Sequence, residues 1–257
     1  MDKYSPKILL FDIETTPLIG YTWGVYEQNL IRIIQYSYIL CVSYKWFGKK
    51  SVHNVALPDF DLYDKDPKDD SELVKVLHGL FNEADIVIAH NGDRFDQRVS
   101  NARFIENGLL PPEPYATVDT LKVARSKFKF ASNKLNDLGV FLELGEKEKH
   151  AGFDTWEGCM SGDEKAWKTM KKYNNQDVLL LEQVYLKLLP WITNHPAINS
   201  ISGIEDACPN CGQTGMLIGQ GHHVLKSGAK KRRYQCTNCG HWCSDRRAIN
   251  KGTNLYV

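Results

Sequence analysis

Short apolar runs fill the first third of the chain, and helical spacing of apolar residues follows them. The runs at 7–13, 31–46 and 51–57 are rich in β-branched and aromatic residues and are bounded by polar or Pro-containing segments. We therefore predict three strands that form an antiparallel meander. Between 72 and 82 the apolar residues fall on one helical face, which predicts a helix: they are Leu73, Val76, Leu77 and Leu80.

The remainder of the first 200 residues alternates strands with helices. The run 86–89 is apolar at every position, as in the centre of a sheet. A helix at 94–107 and a strand near 116–118 follow it. Helices are then predicted at 121–127, 134–141 and 162–189, the last one stopping before Pro190. This order predicts an α/β fold with a mixed sheet.

Two acidic residues stand on the first predicted strand. Asp12 and Glu14 are two positions apart, so both side chains point to the same face of that strand. Burying two unpaired carboxylates costs several kcal/mol, and bound cations are the natural compensation. The alternative is a partly exposed strand end whose acids are simply solvated.

A third acidic position follows the strand 86–89. His90 and Asn91 stand at its carboxyl edge, where ligands bind in open α/β sheets, and Asp96 begins the next helix. Each has a plainer alternative, since Asp96 can cap its helix, Asn91 can be a turn residue and His90 can satisfy local hydrogen bonds. Phe95 is either a core residue or the edge of a site.

The last predicted long helix carries Tyr173 and Asp177, which share a face because they are four positions apart. Alone this spacing is weak, but it follows the two earlier acidic motifs. Four carboxylates converging on one point form a site for hard divalent cations, and two such cations are the usual means of cleaving a phosphodiester.

These motifs resemble those of the DEDD superfamily of 3′–5′ exonucleases, which have a DnaQ-like, RNase H-like fold. The segment 11–15 (Phe-Asp-Ile-Glu-Thr) is similar to the first exonuclease motif, 91–96 to the second and 173–177 to the third. A Tyr four positions before the last Asp is typical of the DEDDy branch. The similarity extends over 5–192 and includes features of stand-alone phage and prophage members. It implies an RNase H-like mixed five-stranded sheet flanked by helices.

The resemblance also implies roles for the site residues. Asp12 would bridge two Mg²⁺ or Mn²⁺ ions, Glu14 and Asp177 would complete the shell of the first ion, and Asp96 would support the second. Tyr173 would orient the attacking water, since a hydroxyl with a pKa near 10 is a poor base. DNA is the substrate that we expect.

A second metal signature lies near the end of the chain. Two near-duplicate C-x2-C-G segments each suit a tight turn that aims two thiolates at one tetrahedral ion, and they resemble a zinc ribbon with one structural Zn²⁺. A thioredoxin-like redox pair needs a βαβ context that the pattern lacks. His241 and Cys243 are surplus potential ligands. The four predicted zinc ligands are Cys208, Cys211, Cys236 and Cys239.

Charge is distributed unevenly along the chain. The 257 residues carry a net +1, yet from residue 201 onward there are 8 basic and 3 acidic residues, leaving 24 basic and 28 acidic residues before it. We predict an exonuclease domain at 1–200 and a nucleic-acid-binding zinc ribbon at 201–257. Uneven solvated charge is the alternative. The predicted nucleic-acid contacts are Asn91 and Phe95 from the resemblance, and Lys230, Lys231, Arg232 and Arg233 from the ribbon.

Other readings of the chain remain open. The same chemistry could act on RNA, the fold could be kept by a non-catalytic nucleic-acid-binding protein, and a DDE-type transposase also combines an RNase H-like fold with a zinc ribbon. A polymerase or another replication protein is a candidate partner. The polar start at 1–7 and the lack of a long apolar run predict no membrane association. The CxxC pairs favour a reducing compartment, and we expect the cytoplasm of a bacterial or phage-infected cell.

Overall fold

A five-stranded mixed sheet lies at the centre of the fold. The computed structural model describes residues 5–26, 28–145 and 152–250. Strand order is β5-β4-β1-β6-β7, with β1 antiparallel to β4 and parallel to β6. The predicted meander and mixed sheet are confirmed. The strands of this sheet are β1 (Ile8–Thr15), β4 (Ile39–Trp46), β5 (His53–Ala56), β6 (Ile86–Ala89) and β7 (Ala116–Asp119).

Helices cover both faces of this sheet, which is why β1 and β6 are apolar on both sides. Leu9 and Phe11 pack with α1 and α2, whereas Leu10 and Ile88 pack with α3, α4 and most of α6. None of the helices in the described ranges is long and apolar enough to span a membrane. The helices are α1 (Ser71–Glu83), α2 (Asp96–Glu106), α3 (Thr120–Lys127), α4 (Leu135–Phe141), α5 (Asp154–Met160), α6 (Glu164–Leu188) and α7 (Ile198–Ser202).

Two parts of the sequence-based interpretation were wrong. The run 31–46 is interrupted at 36–38, and its first part forms β3 (Arg32–Gln35), which pairs with β2 (Ile19–Tyr21) in a separate hairpin. No helix was predicted between 141 and 162, but α5 lies there, and its Cys159 is buried and packs with the core beside α6. Both errors have one cause, because a short element takes its stability from neighbours that lie far away in sequence.

The C-terminal segment is a three-stranded sheet in the order β10-β9-β8. Its strands are β8 (Leu217–Val224), β9 (Lys230–Cys236) and β10 (Trp242–Ser244). β8 continues through His222 and His223, and the chain turns between Leu225 and Ala229.

This ribbon packs directly on the end of α6. Ile198 N donates to Pro209 O at 2.8 Å, and Asn210 Nδ2 donates to the carbonyls of Leu189 (3.1 Å) and Ile192 (2.8 Å). The predicted boundary between 200 and 201 falls within α7, and the division into two domains stays a prediction.

Candidate active site and metal centres

Three carboxylates converge where β1 meets α6. Asp12 and Glu14 project from the central strand, and Asp177 projects from the middle of α6, with one oxygen of each lying within 4.8 Å of the others. Asp177 is 3% exposed. Three anionic groups this close repel one another, so the arrangement fits a divalent cation with oxygen ligands.

Asp96 stands beside this cluster. It begins α2, is 3% exposed, and accepts a hydrogen bond from Ile13 N at 3.3 Å. It does not belong to the group of three carboxylates, but it lines the same cleft. Burial raises the pKa of Asp96 to about 7, opposed by the Ile13 hydrogen bond and reinforced by the charge of Asp119.

We expect the metal-free protein to lose stability as pH rises from about 4 to 7. The pKa of Asp96 is about 7 in the folded protein and about 4 when unfolded, so the folded state binds the extra proton in this window. The protonated form of Asp96 therefore makes its full contribution to stability below about pH 4, and this contribution is lost as the pH rises through about 7. Thermal melts in EGTA measure this, and Asp96→Asn should flatten the profile. Identical slopes for the two proteins would contradict it.

The turn after β6 is built by local sterics. Asn91 has a φ of 70°, a left-handed conformation that Asn tolerates, and its N–H donates to Asp119 Oδ1 at 3.0 Å. A Cβ on Gly92 would lie 2.5 Å from Ala89 Cβ, so only glycine fits. His90 contacts Thr120 Oγ1 and Asn133 O through its two ring nitrogens, both at 2.9 Å. His90 therefore forms local hydrogen bonds through both ring nitrogens, which was the plainer interpretation of this residue from the sequence.

The carboxylates open into a cleft of about 680 Å³. Tyr173 lines it, and burial together with the charges of Asp177, Glu14 and Asp12 raises the pKa of its hydroxyl far above the usual value. The hydroxyl thus stays protonated in the metal-free protein and can donate a hydrogen bond. Phe95 is 42% exposed at the same cleft, so it is not a core residue.

One residue at the site was missed by sequence reasoning. Asn174 is fully buried on α6, and its Nδ2 donates to Asp12 Oδ2 at 2.7 Å and to Asp12 O at 3.3 Å. Its Oδ1 accepts from Asn54 Nδ2 at 3.2 Å, and Asn54 also bonds Ser43 Oγ at 2.8 Å. Asn174 therefore fixes the orientation of the Asp12 carboxylate. Its only sequence signal is its place between Tyr173 and Asp177.

Replacing Asn174 should weaken Mg²⁺ binding more than it destabilises the fold. In Asn174→Ala the Asp12 carboxylate loses its 2.7 Å donor, so we expect the Kd for Mg²⁺ to rise about ten-fold or more, as seen when partners of metal ligands are removed. Titrations of the protein with Mg²⁺ measure this. Asn101→Ala, an exposed helical Asn on α2, is the matched control. An unchanged Kd for Mg²⁺ in Asn174→Ala would refute the positioning role.

The four ribbon cysteines form a second cluster. Their sulfurs all lie within 4.8 Å, and the Cys208–Cys239 and Cys211–Cys236 pairs are each separated by 3.7 Å. Thiolates about 2.3 Å from a tetrahedral Zn²⁺ are separated by roughly 3.8 Å, whereas a disulfide needs about 2.05 Å. The cluster therefore fits a zinc ion.

The two surplus candidates lie outside this cluster of described residues. Cys243 is on β10 and His241 is 6% exposed, with Nδ1 facing Asn210 Nδ2 (3.1 Å) and Pro190 O (3.2 Å). His241 thus joins the ribbon to the end of α6.

The predicted basic contacts lie on β9, away from the residues that line the cleft. Arg233 stacks over the ring of Trp242 at 5.4 Å, and Trp242 is 49% exposed. Trp242 is therefore a half-exposed residue on the surface of the ribbon. The predicted contacts on β9 are Lys230, Lys231, Arg232 and Arg233.

Sequence comparison agrees with this geometry. The family RNase_H_2, described as RNase_H superfamily, matches residues 35–189, which is 155 of the 257 residues. The chain belongs to the RNase H superfamily. The central sheet and flanking helices are those of an RNase H-like fold, with a small ribbon bearing four cysteines added after it. Membership supports a nuclease, a hydrolase that uses divalent metal ions.

This chain matches only a small part of the length of each of the following proteins. The chain is 24% identical over 195 residues to a DNA polymerase III PolC-type protein of Ureaplasma parvum, which is 70% of this chain and 13% of that one. It is 36% identical over 81 residues to Protein NEN3 of Arabidopsis thaliana, 31% of this chain and 15% of that one. Among solved structures, a family B DNA polymerase from Pyrobaculum calidifontis matches 78% of this chain with 27% of the polymerase chain. The sequence identity is 12% and the TM-score is 0.49.

Proposed function

We propose that this RNase H-superfamily chain is a metal-dependent 3′–5′ exonuclease that hydrolyses DNA and releases nucleoside monophosphates. The observation that carries the proposal is the meeting of Asp12, Glu14 and Asp177 at one point, with Asp96 and Tyr173 lining the same cleft. This is the ligand set that two-metal phosphodiester hydrolysis needs.

Each side chain has a distinct part in the proposed reaction. Asp12, Glu14 and Asp177 would hold one Mg²⁺ or Mn²⁺ and Asp96 a second, and the bound ions would supply an activated water and stabilise the departing 3′ oxygen. The Tyr173 hydroxyl, which stays protonated, orients that water by donating a hydrogen bond. Phe95 offers an exposed ring at the cleft against which a base can pack.

The ribbon would hold the nucleic acid and take no part in the chemistry. Its four cysteines suit one structural Zn²⁺, and its exposed cations suit phosphates. The similarity to a DNA polymerase III PolC-type protein supports DNA as substrate and a polymerase or other replication protein as partner. An RNA exonuclease of the same mechanism is the second candidate, since the proposed chemistry takes place at the phosphate whichever sugar is present.

Removing the tyrosine hydroxyl should slow cleavage while leaving the metal requirement intact. In Tyr173→Phe the carboxylates remain and only the orientation of the water is lost, so we expect about a ten-fold or larger fall in kcat. Single-turnover rates at saturating Mg²⁺ measure it. Tyr36→Phe, at an exposed tyrosine between β3 and β4 that does not line the cleft, is the control. A kcat for Tyr173→Phe equal to that of the wild-type protein would remove Tyr173 from the mechanism.

Circular and linear substrates test the proposed activity. We expect linear single-stranded DNA to be degraded to mononucleotides, and a closed DNA circle of the same sequence to stay intact. The rate of degradation of a linear RNA of the same sequence, compared with that of the DNA, shows which nucleic acid is the preferred substrate. Cleavage of the circle would mean an endonuclease, and faster degradation of RNA than of DNA would favour the second candidate.

A further inference from the structure

A strongly basic segment forms one wall of the cleft. Residues 120–134, which include α3 and the following loop, contain five basic residues and no acidic residue. Two aromatic residues, Phe128 and Phe130, alternate with these cations. The five basic residues are Lys122, Arg125, Lys127, Lys129 and Lys134.

Part of this segment lines the cleft that contains the carboxylate cluster. Arg125, Ser132 and Lys134 line the same cleft as Asp12 and Asp177. The loop is tied to the turn after β6, because Asn133 O lies 2.9 Å from His90 Nε2. Cations are therefore held at the mouth of the proposed catalytic site.

Most of these cations are available for a ligand. Within the described part of the chain, Lys122 pairs with Asp93 at 2.5 Å and Lys127 bonds Thr193 Oγ1 at 2.9 Å, whereas Arg125, Lys129 and Lys134 form no ion pair with a described residue. All five are exposed. A row of like charges costs stability through mutual repulsion, and an anionic ligand relieves that repulsion.

An aromatic cluster extends the segment away from the cleft. Phe128 stacks with Phe130 at 5.0 Å and meets Trp191 at 5.3 Å, and Phe130 meets Phe141 at 5.2 Å. Phe141 is 66% exposed and Trp191 is 57% exposed. Both rings are thus largely exposed, although each contacts another ring of the cluster.

The cluster ends against the ribbon. Trp191 lies between Pro190 and Ile192, whose carbonyls contact His241 (3.2 Å) and Asn210 (2.8 Å) of the ribbon. The rings therefore lie between the cleft, which is lined by Ala131 next to Phe130, and the ribbon, which is bonded to the residues that flank Trp191.

We propose that the α3 loop, Phe141 and Trp191 form a binding track for single-stranded nucleic acid between the active site and the ribbon. Bases would stack on the exposed rings while the phosphates pass Arg125 and Lys129, the combination by which proteins hold single strands. The excess of five positive charges favours a polyanion over a protein partner with a neutral apolar surface. The track deepens the proposed exonuclease function and rests on it for the position of the 3′ end.

Binding of labelled oligothymidylates of 4 and 15 nucleotides to the full-length protein tests the track, with Asp177→Asn in every variant to limit cleavage. Phe141→Ala with Trp191→Ala should weaken binding of the 15-mer about five-fold or more, the lower range for lost base stacking, and the 4-mer less. Lys129→Ala should reduce the slope of log K against log salt by about 0.7. Phe141→Trp with Trp191→Phe keeps aromatic faces and should retain affinity.

Lys75→Ala and Ile105→Ala are the matched controls, because these exposed residues lie on α1 and α2, which cover the other face of the sheet. Unchanged 15-mer affinity and salt slope in the track variants, with wild-type melting temperatures, would overturn the track and leave a protein-docking face. The two proposals can fail separately. Cleavage of DNA without any effect of these variants removes only the track, and loss of binding in a protein that cleaves nothing removes only the exonuclease.

Discussion

Asp12→Asn and Asp177→Asn should each lower the rate of DNA cleavage by about three orders of magnitude or more. Each replacement keeps the size of the side chain and removes one charged ligand from a cluster whose oxygens lie within 4.8 Å. Metal ions contribute several kcal/mol to transition-state stabilisation, and about 4 kcal/mol corresponds to roughly a thousand-fold in rate. Single-turnover assays with Mg²⁺ measure the loss.

The same substitutions should not destabilise the metal-free fold, because they remove repulsion between neighbouring carboxylates. Asp64→Asn, an exposed aspartate in the loop before α1, is the matched control and should cleave at the wild-type rate. Chelation of Mg²⁺ should abolish cleavage by the wild-type protein, and added Mn²⁺ should restore it. Undiminished cleavage by pure Asp12→Asn protein would show that the carboxylate cluster is not the catalytic site.

Replacing Cys208 and Cys236 together by Ser should remove zinc and unfold the ribbon. One cysteine is lost from each C-x2-C pair, and a ribbon of this size depends on metal binding for much of its folding free energy. The effect should reach the rest of the protein, because Asn210 no longer donates to the carbonyls of Leu189 and Ile192. Two lost hydrogen bonds and the uncovering of buried Ile198 predict a fall in melting temperature of about 5 to 10 °C.

Metal analysis, thermal melts and DNA binding on the same preparations measure this effect. Cys243→Ser is the control, because Cys243 lies outside the four-cysteine cluster and should leave the zinc content at one ion per chain. The double variant should also bind single-stranded DNA more weakly and with a shallower salt dependence. A full-length wild-type protein that holds no zinc would disprove the ribbon's metal site, and an unchanged melting temperature in the double variant would show that the ribbon does not support the core.

The sequence predicted the features that depend on spacing. Strand alternation placed Asp12 and Glu14 on one face, and helical periodicity placed Tyr173 and Asp177 together; the structure brings three of these carboxylates to one point. The repeated C-x2-C segments predicted the cysteine cluster in the same way. Spacing within one strand or helix determines the face on which a side chain lies, and the sheet topology then brings the strands and helices together.

Features that depend on contacts between distant segments could not be predicted. The hydrogen bond from Asn174 to Asp12 joins residues 162 positions apart, and no local pattern distinguishes Asn174 from the neighbouring Asn175. The hairpin of β2 and β3 and the helix α5 escaped prediction because their residues gain order from packing and not from periodicity. The aromatic cluster likewise required Trp191 to meet Phe128 across the fold.

Product ladders from a 5′-labelled single-stranded DNA with Mg²⁺, for the wild-type protein and Asp177→Asn side by side, test whether the carboxylate cleft is a 3′–5′ exonuclease site. We expect the wild-type ladder to shorten one nucleotide at a time from the 3′ end, and the substrate of Asp177→Asn to stay at full length. Immediate release of the 5′ label as a mononucleotide, or identical ladders from the two proteins, would contradict it.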